Sequence, residues 1–185
     1  MHLIVPYLPL VALLGVAVVI DWRERRIPNW LNLVTFLAGV GFVSAGWLPI
    51  SGWGCLFGVL AGFALVLPRV LLGATGAGDL KQHMAVGAWT GPLGILIIML
   101  GSTVVGGVMA VIQAAYSGKL SMLARNSAVL AINLVHVRTV GTDHIEQTGK
   151  SFRSIDRPLP YAVPVFVAVA IYLICWAMWP ARIWP

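Results

Sequence analysis

Apolar runs long enough to cross about 30 Å of hydrocarbon recur along the whole chain of 185 residues. They lie at about 3–20, 30–48, 52–72, 92–116 and 159–180. Hydrophobic residues make up 59% of the chain and charged residues only 10%, which is outside the range of soluble globular domains. The sequence therefore predicts an all-α integral membrane protein that forms a single membrane-embedded domain over residues 1–185.

Basic residues are concentrated in two regions, DWRERRIPN (21–29) and a loop at about 117–158. The positive-inside rule places both regions in the cytoplasm, and Arg69 then marks the cytoplasmic end of the third span. A chain that is cytoplasmic at Arg69 and again at Lys119 must cross the membrane twice in between. Only 92–116 is a full-length span there, so the short stretch 79–91 is expected to cross the membrane as well. The prediction is a bundle of six transmembrane helices, the fourth of them short, with both termini outside.

The formal net charge of +6 is interpreted in the same way: the basic residues orient the chain in the membrane and contact anionic membrane lipid. No alternation of basic and aromatic residues indicates a nucleic-acid partner. Cys55 and Cys175 each lie alone in an apolar span, and His136 and His144 have no partner at a metal-binding spacing. We therefore expect no disulfide bond, no metal and no cofactor.

Two carboxyl groups are expected at the same depth of this bundle. Asp21 ends the first span as it reaches the cytoplasmic side, and Asp79 begins the fourth as it leaves that side. Taken singly, Asp21 fits an interfacial residue beside arginines, and Asp79 fits an ordinary helix N-cap. Because charged residues at membrane depth are costly, a functional role is the default hypothesis for such a pair.

Together the two residues match the acid and base that an aspartic protease requires. One carboxylate takes a proton from water while its protonated partner donates a hydrogen bond to the scissile carbonyl. Gly76 and Gly78 would let a substrate backbone approach closely. Lys81 is expected to pair either with an aspartate or with the membrane interface, and the residues alone leave that choice open.

Small residues four positions apart predict where helices approach each other closely. Gly54, Gly58 and Gly62 share one face of the third span, and we interpret them as a packing surface. His83, one helical turn after Asp79, is interpreted as a packed or hydrogen-bonded side chain.

Three segments carry a resemblance to a known family. GAGDLK (76–81) resembles the GxGDxK motif of the type IV prepilin peptidases. DWRERRIPNWLNL (21–33) resembles their first catalytic segment, an Asp followed by a basic stretch and Ile-Pro-Asn. LPYAVP (159–164) is similar to the segment that opens their last helix, and the three matches come in the order of the family.

The resemblance implies a membrane aspartic endopeptidase with Asp21 and Asp79 as its catalytic pair and without a metal. The implied substrate is a type IV pilin-like or pseudopilin precursor, which loses its basic leader at the cytoplasmic face of the bacterial inner membrane. The pilus assembly machinery is then a candidate partner. Residues implied to bind substrate or shape the site are Pro28, Asn29, Gly76, Gly78, Lys81, Pro160 and Tyr161.

The chain departs from the larger members of that family in one respect. Those members carry an additional cytoplasmic domain with cysteine pairs and also methylate the new N-terminus. No such insertion separates the first two spans here, so N-methyltransferase activity is not expected. The short form is similar to the peptidases that serve tight-adherence (Flp-type) pili.

Two other functions fit the residues less well. A small transporter could use Asp21 and Asp79 as an ion or proton relay, but the chain shows no inverted repeat and places both carboxyl groups at one side of the membrane. A non-catalytic pilus assembly subunit would bind precursors without cutting them, and it would have no need of both aspartates.

Overall fold

The computed structural model describes residues 4–71, 75–125 and 160–178, and this part of the chain is helical without strands. Its long helices are α1 (Leu8–Glu24, preceded by a 3-10 turn at Val5–Tyr7), α2 (Asn29–Ser44), α3 (Gly52–Leu71), α4 (Ala77–Tyr116) and α5 (Ala162–Met178). Three helical stretches are long and apolar enough to cross a membrane: Val5–Glu24, Gly52–Leu71 and Ala77–Tyr116. The all-α prediction is confirmed for the described residues. Of the predicted loop, 126–158 lies outside them.

Helix α4 is broken in the middle by a glycine. Gly91 has φ 70° and ψ −178°, which lie outside the helical region, and Pro92 follows it. Proline disfavours the helical conformation of the residue before it, and glycine adopts a positive φ without strain. The break therefore divides α4 into a first segment (77–90) and a second segment (92–116), and it falls at the end of the predicted short helix 79–91.

The two segments of α4 fold back on each other at this break. His83 lies 6.0 Å from the Tyr161 ring, and the Arg69 guanidinium lies 5.4 Å above the same ring. Arg69 also donates a hydrogen bond to Thr103 Oγ1 at 3.5 Å. In a straight helix His83 and Thr103 would be about 30 Å apart. Their common neighbours show that the chain reverses direction between them.

The first segment of α4 packs backbone to backbone against α3. A Cβ added at Gly58 would lie 2.1 Å from the Gly87 carbonyl oxygen, and one added at Gly62 would lie 2.6 Å from the His83 carbonyl oxygen. The predicted packing role of these two glycines is confirmed. Gly54 differs, because its nearest neighbours belong to its own turn, at Ile50 and Ser51.

The remaining helices assemble around α4. Trp89 is fully buried and donates a hydrogen bond from Nε1 to the Thr35 carbonyl oxygen at 2.8 Å, which ties α4 to α2. Helix α5 packs on both α1 and α4, whereas α2 and α3 contact each other little. Large apolar side chains such as Leu60 and Val104 are exposed on the outer faces, as expected for helices surrounded by an apolar medium.

Candidate active site

Asp21 lies in the last turn of α1 and is only 5% exposed. Its Oδ2 accepts a hydrogen bond from the Ala162 backbone N–H at 2.9 Å. Ala162 is the first residue of α5, where the backbone N–H groups have no acceptor within the helix. The carboxyl group of Asp21 therefore satisfies the N-terminus of α5, and this contact fixes its position in the bundle.

Asp79 is the third residue of α4, which begins at Ala77 after the N-cap residue Gly76. Its Oδ2 accepts hydrogen bonds from the Gly76 backbone N–H at 3.2 Å and from the Thr75 hydroxyl. A carboxylate at this position is stabilised by the positive end of the helix dipole. Asp79 is thus not the N-cap residue of α4, which was the simple interpretation of this residue from the sequence. Its side chain instead accepts a hydrogen bond from the backbone of the N-cap residue, Gly76.

Both aspartates line one cavity of about 490 Å³ where α1 ends and α4 begins. Topology alone predicted that the two carboxyl groups lie at a similar depth, and the structure places them in the same cavity. The residues that line it are Asp21, Arg25, Arg26, Ile27, Asn29, Thr75, Gly76, Gly78, Asp79 and Tyr161.

Four of the other predicted site residues are in that lining: Asn29, Gly76, Gly78 and Tyr161. The Gly78 carbonyl oxygen accepts a hydrogen bond from Asn32 Nδ2 at 3.2 Å, which joins α2 to the start of α4. A Cβ added at Gly78 would come no closer than 3.7 Å to its surroundings. A methyl group would therefore fit beside the Gly78 backbone, in ordinary van der Waals contact with Ile27.

The remaining three predicted residues lie around the cavity without lining it. Lys81 Nζ donates a hydrogen bond to Asn29 Oδ1 at 2.9 Å, so it pairs with an amide and not with either aspartate. Pro28 is the N-cap residue of α2 and lines a neighbouring surface cavity. Pro160 is buried two residues before the start of α5.

Residues that the sequence analysis did not place at the site also contact it. Thr75 donates a hydrogen bond to Asp79 Oδ2. The feature of the sequence that could have indicated this contact is a short polar residue four positions before the carboxylate. Asn32 holds the Gly78 carbonyl from α2, where a lone Asn in an apolar helix is a weak signal. Arg69 acts electrostatically on Asp79 from the end of α3, and the sequence analysis used it only as a topology marker.

His83 supports Asp79 from one turn deeper in the bundle. Its side chain is fully buried, and its Nδ1 lies 2.8 Å from the Asp79 carbonyl oxygen. Because a carbonyl can only accept, Nδ1 carries the proton of this hydrogen bond. The prediction of a packed, hydrogen-bonded histidine is confirmed.

This arrangement provides two carboxyl groups, each held through Oδ2 by a backbone N–H group, in one cavity of about 490 Å³. Among the residues that the structure describes, no group of three or more His, Cys, Asp or Glu side chains is placed to hold a metal ion. The chemistry available at this site is acid and base catalysis by two carboxyl groups.

A comparison with protein families identifies this chain. The model of the type IV leader peptidase family matches residues 8–111, which is more than half of the 185 residues and includes both aspartates. No curated protein and no solved structure gives a significant match. On the extent of the family match, the chain belongs to the type IV leader peptidase family.

Proposed function

We propose that this chain is a membrane aspartic endopeptidase that removes the basic leader of type IV pilin-like precursors. The family supports a leader peptidase in general. The observation that carries the specific proposal is that Asp21 and Asp79, which lie 58 residues apart in the sequence, line one cavity.

Hydrolysis follows from two carboxyl groups that share one proton. The ionised carboxylate takes a proton from a water molecule while the protonated carboxyl group donates a hydrogen bond to the scissile carbonyl oxygen. The water oxygen then attacks the carbonyl carbon, the protonated carboxyl group gives its proton to the carbonyl oxygen, and a tetrahedral diol forms. On collapse of the diol the C–N bond breaks, the carboxyl group that took the proton of water passes it to the leaving amine, and the other carboxylate takes back a proton from a diol hydroxyl, which restores the starting state of the pair.

The fold supports the proposed six-span topology. A straight helix of 40 residues would be about 60 Å long, twice the thickness of the hydrocarbon core. With the reversal at Gly91, the first segment of α4 becomes a short fourth span and the second segment becomes the fifth. Arginines at 23, 25 and 26 follow Asp21 directly, so the positive-inside rule places the carboxyl pair at the cytoplasmic face of the proposed inner membrane.

The experiment that tests this function is cleavage of a synthetic pilin precursor by the full chain in lipid. Wild type is compared with Asp21→Asn and Asp79→Asn, which keep the shape of the side chain and remove its acid and base capacity. We expect wild type to release the leader and each variant to lose activity by at least about a thousandfold, since one half of the catalytic pair is missing.

A thermal unfolding scan of each purified variant serves as the control for folding. Appreciable cleavage by either folded variant would contradict the catalytic pair. If wild type cuts no precursor at all, the transport function or the non-catalytic assembly function replaces the proposal.

A further inference from the structure

A groove runs along one face of the bundle, between α2 and α3. These two helices contact each other little because each packs on α4, so α4 forms the floor between them. Leu33 and Phe36 of α2 line one side of the groove, and Val59 of α3 lines the other. Met84 and Ala85 form the floor. The groove has a volume of about 380 Å³ and is almost entirely apolar.

The polar groups of this groove are confined to one end. Asn29 and Asn32 in the first turn of α2 and Lys81 in the second turn of α4 line that end. From Asn29 to Phe36 the groove extends about 10 Å along α2, from polar to apolar surface. A bound chain would therefore meet hydrogen-bonding groups first and then only apolar side chains.

The polar end of the groove is also the edge of the carboxyl-lined cavity. Asn29 lines both the groove and the cavity, and its Oδ1 accepts a hydrogen bond from Lys81. Asn32 donates to the carbonyl oxygen of Gly78, and Gly78 is part of the cavity wall. The groove and the cavity are consequently neighbours that share the wall residue Asn29.

We propose that this groove binds a stretch of apolar residues that the substrate carries next to its scissile bond. This inference rests on the proposed function and assigns a binding site to it. A peptide with a polar cleavage junction and an apolar continuation has the same order of polarity as the cavity and the groove. Close packing of its apolar side chains against Phe36, Val59 and Met84 supplies affinity in the membrane, and the cavity holds the bond to be cut.

The chemistry at the polar end favours a peptide over a lipid. The side-chain amides of Asn29 and Asn32 each carry a donor and an acceptor, as a peptide group does. A lipid phosphate offers acceptors only, and a lipid presents no peptide bond to the carboxyl pair. Lipid in the groove is accordingly the competing outcome of the test.

The first measurement uses two substrates and two variants of the full chain in lipid nanodiscs. The substrates are a precursor peptide with its apolar segment and the same peptide with that segment replaced by serine and glutamine. Val59→Trp fills the groove, and Leu60→Trp is its matched control, because Leu60 is the next residue, is 51% exposed and does not line the groove.

We expect Val59→Trp to raise the KM for the apolar precursor on the order of tenfold, since the indole fills the groove and the packing contacts of an apolar side chain of the substrate are lost. Leu60→Trp keeps the wild-type KM. The ratio of the KM for the polar precursor to the KM for the apolar precursor is smaller in Val59→Trp than in wild type. Equal effects of the two tryptophan variants, or no preference by wild type, would overturn the proposal.

A second measurement does not depend on the folding of Val59→Trp. A photoreactive benzoyl-phenylalanine at position 36 of the otherwise unchanged chain is irradiated with precursor bound, and the same group at position 60 is the control. We expect position 36 to crosslink the apolar segment of the precursor and position 60 to crosslink lipid. Crosslinks to lipid alone from position 36 would contradict the proposal that the groove binds substrate. Failure of wild type to cut either peptide would instead contradict the proposed function.

Discussion

Glycine occurs in two different settings around the first segment of α4. At the crossing with α3, a Cβ added to Gly58 would lie 2.1 Å from the Gly87 carbonyl oxygen. In the cavity, a Cβ added to Gly78 would come no closer than 3.7 Å, to the Ile27 carbonyl oxygen. The absence of a side chain at Gly58 lets α3 and α4 touch, whereas at Gly78 there is room for an added carbon atom.

The difference explains how the first segment of α4 both packs against α3 and borders the cavity. Its face toward α3 is closed by direct backbone contact, which fixes the position of the segment in the bundle. Its start, at Gly76, Gly78 and Asp79, borders a cavity. Tight packing on one side thus holds the carboxyl group at an open site on another, and this comparison predicts opposite consequences of adding a side chain at the two places.

The largest effect is expected at the helix crossing. Gly58→Leu would force α3 and α4 apart, because the clash is with backbone and no side chain can rotate away. We expect the free energy of unfolding to fall by about 3 kcal/mol or more. Thermal unfolding of the purified protein measures this. Gly107→Leu is the control, since a Cβ at Gly107 would meet nothing within 4 Å, and an equal loss in both variants would contradict the interpretation of the crossing.

The next largest effect is expected in the cavity. Gly78→Val should leave the unfolding temperature close to that of wild type and lower the rate of precursor cleavage by about tenfold or more. The added side chain occupies the space in which a substrate backbone would approach the carboxyl pair. Gly78→Ala should fall between the two. Cleavage at the wild-type rate by Gly78→Val would show that no substrate comes close to this position.

A smaller effect is expected from the contact between Lys81 and Asn29. An exposed hydrogen bond of this kind contributes about 0.5–1.5 kcal/mol. Lys81→Met and Asn29→Ala should each lower kcat/KM a few-fold. Because both changes remove the same bond, the double variant should be little worse than either single one. Fully additive losses would mean that the two side chains act separately.

The smallest effect is expected from removal of metal ions. The proposed reaction uses two carboxyl groups and water, so precursor cleavage should proceed at the same rate in a chelator such as EDTA. The measurement is the initial rate of leader release with and without the chelator. Inhibition that is reversed by added zinc would instead indicate a metal-dependent site.

Several features of the fold followed from short-range patterns in the sequence. The apolar runs predicted helices, and the boundary predicted between the short stretch 79–91 and the run 92–116 coincides with the break at Gly91 and Pro92 inside α4. The spacing of Gly58 and Gly62 predicted a close helix crossing. In each case the signal lies within a few residues, and the structural consequence lies there too.

Parts of the site could not be predicted in that way. Lys81 was expected to pair with an aspartate or with the membrane interface, and its hydrogen bond to Asn29 was not predicted, because the position of Lys81 relative to Asn29 depends on how α2 packs on α4. Arg69 was assigned only to the end of a span, yet it stacks on Tyr161 and acts on Asp79. These contacts join residues that are tens of positions apart, and no local pattern encodes the register between two helices.

The sequence by itself determined that the chain is helical and apolar, and it placed Asp21 and Asp79 at the same end of the bundle. Hydrophobicity and the positions of the charges suffice for this, because the cost of burying charge in an apolar medium acts on each segment separately. Only the tertiary structure decided that the two carboxyl groups line one cavity. The Asp21 carboxyl group is held by the N–H of Ala162, 141 residues later in the chain, and such a contact depends on the packing of α1 against α5.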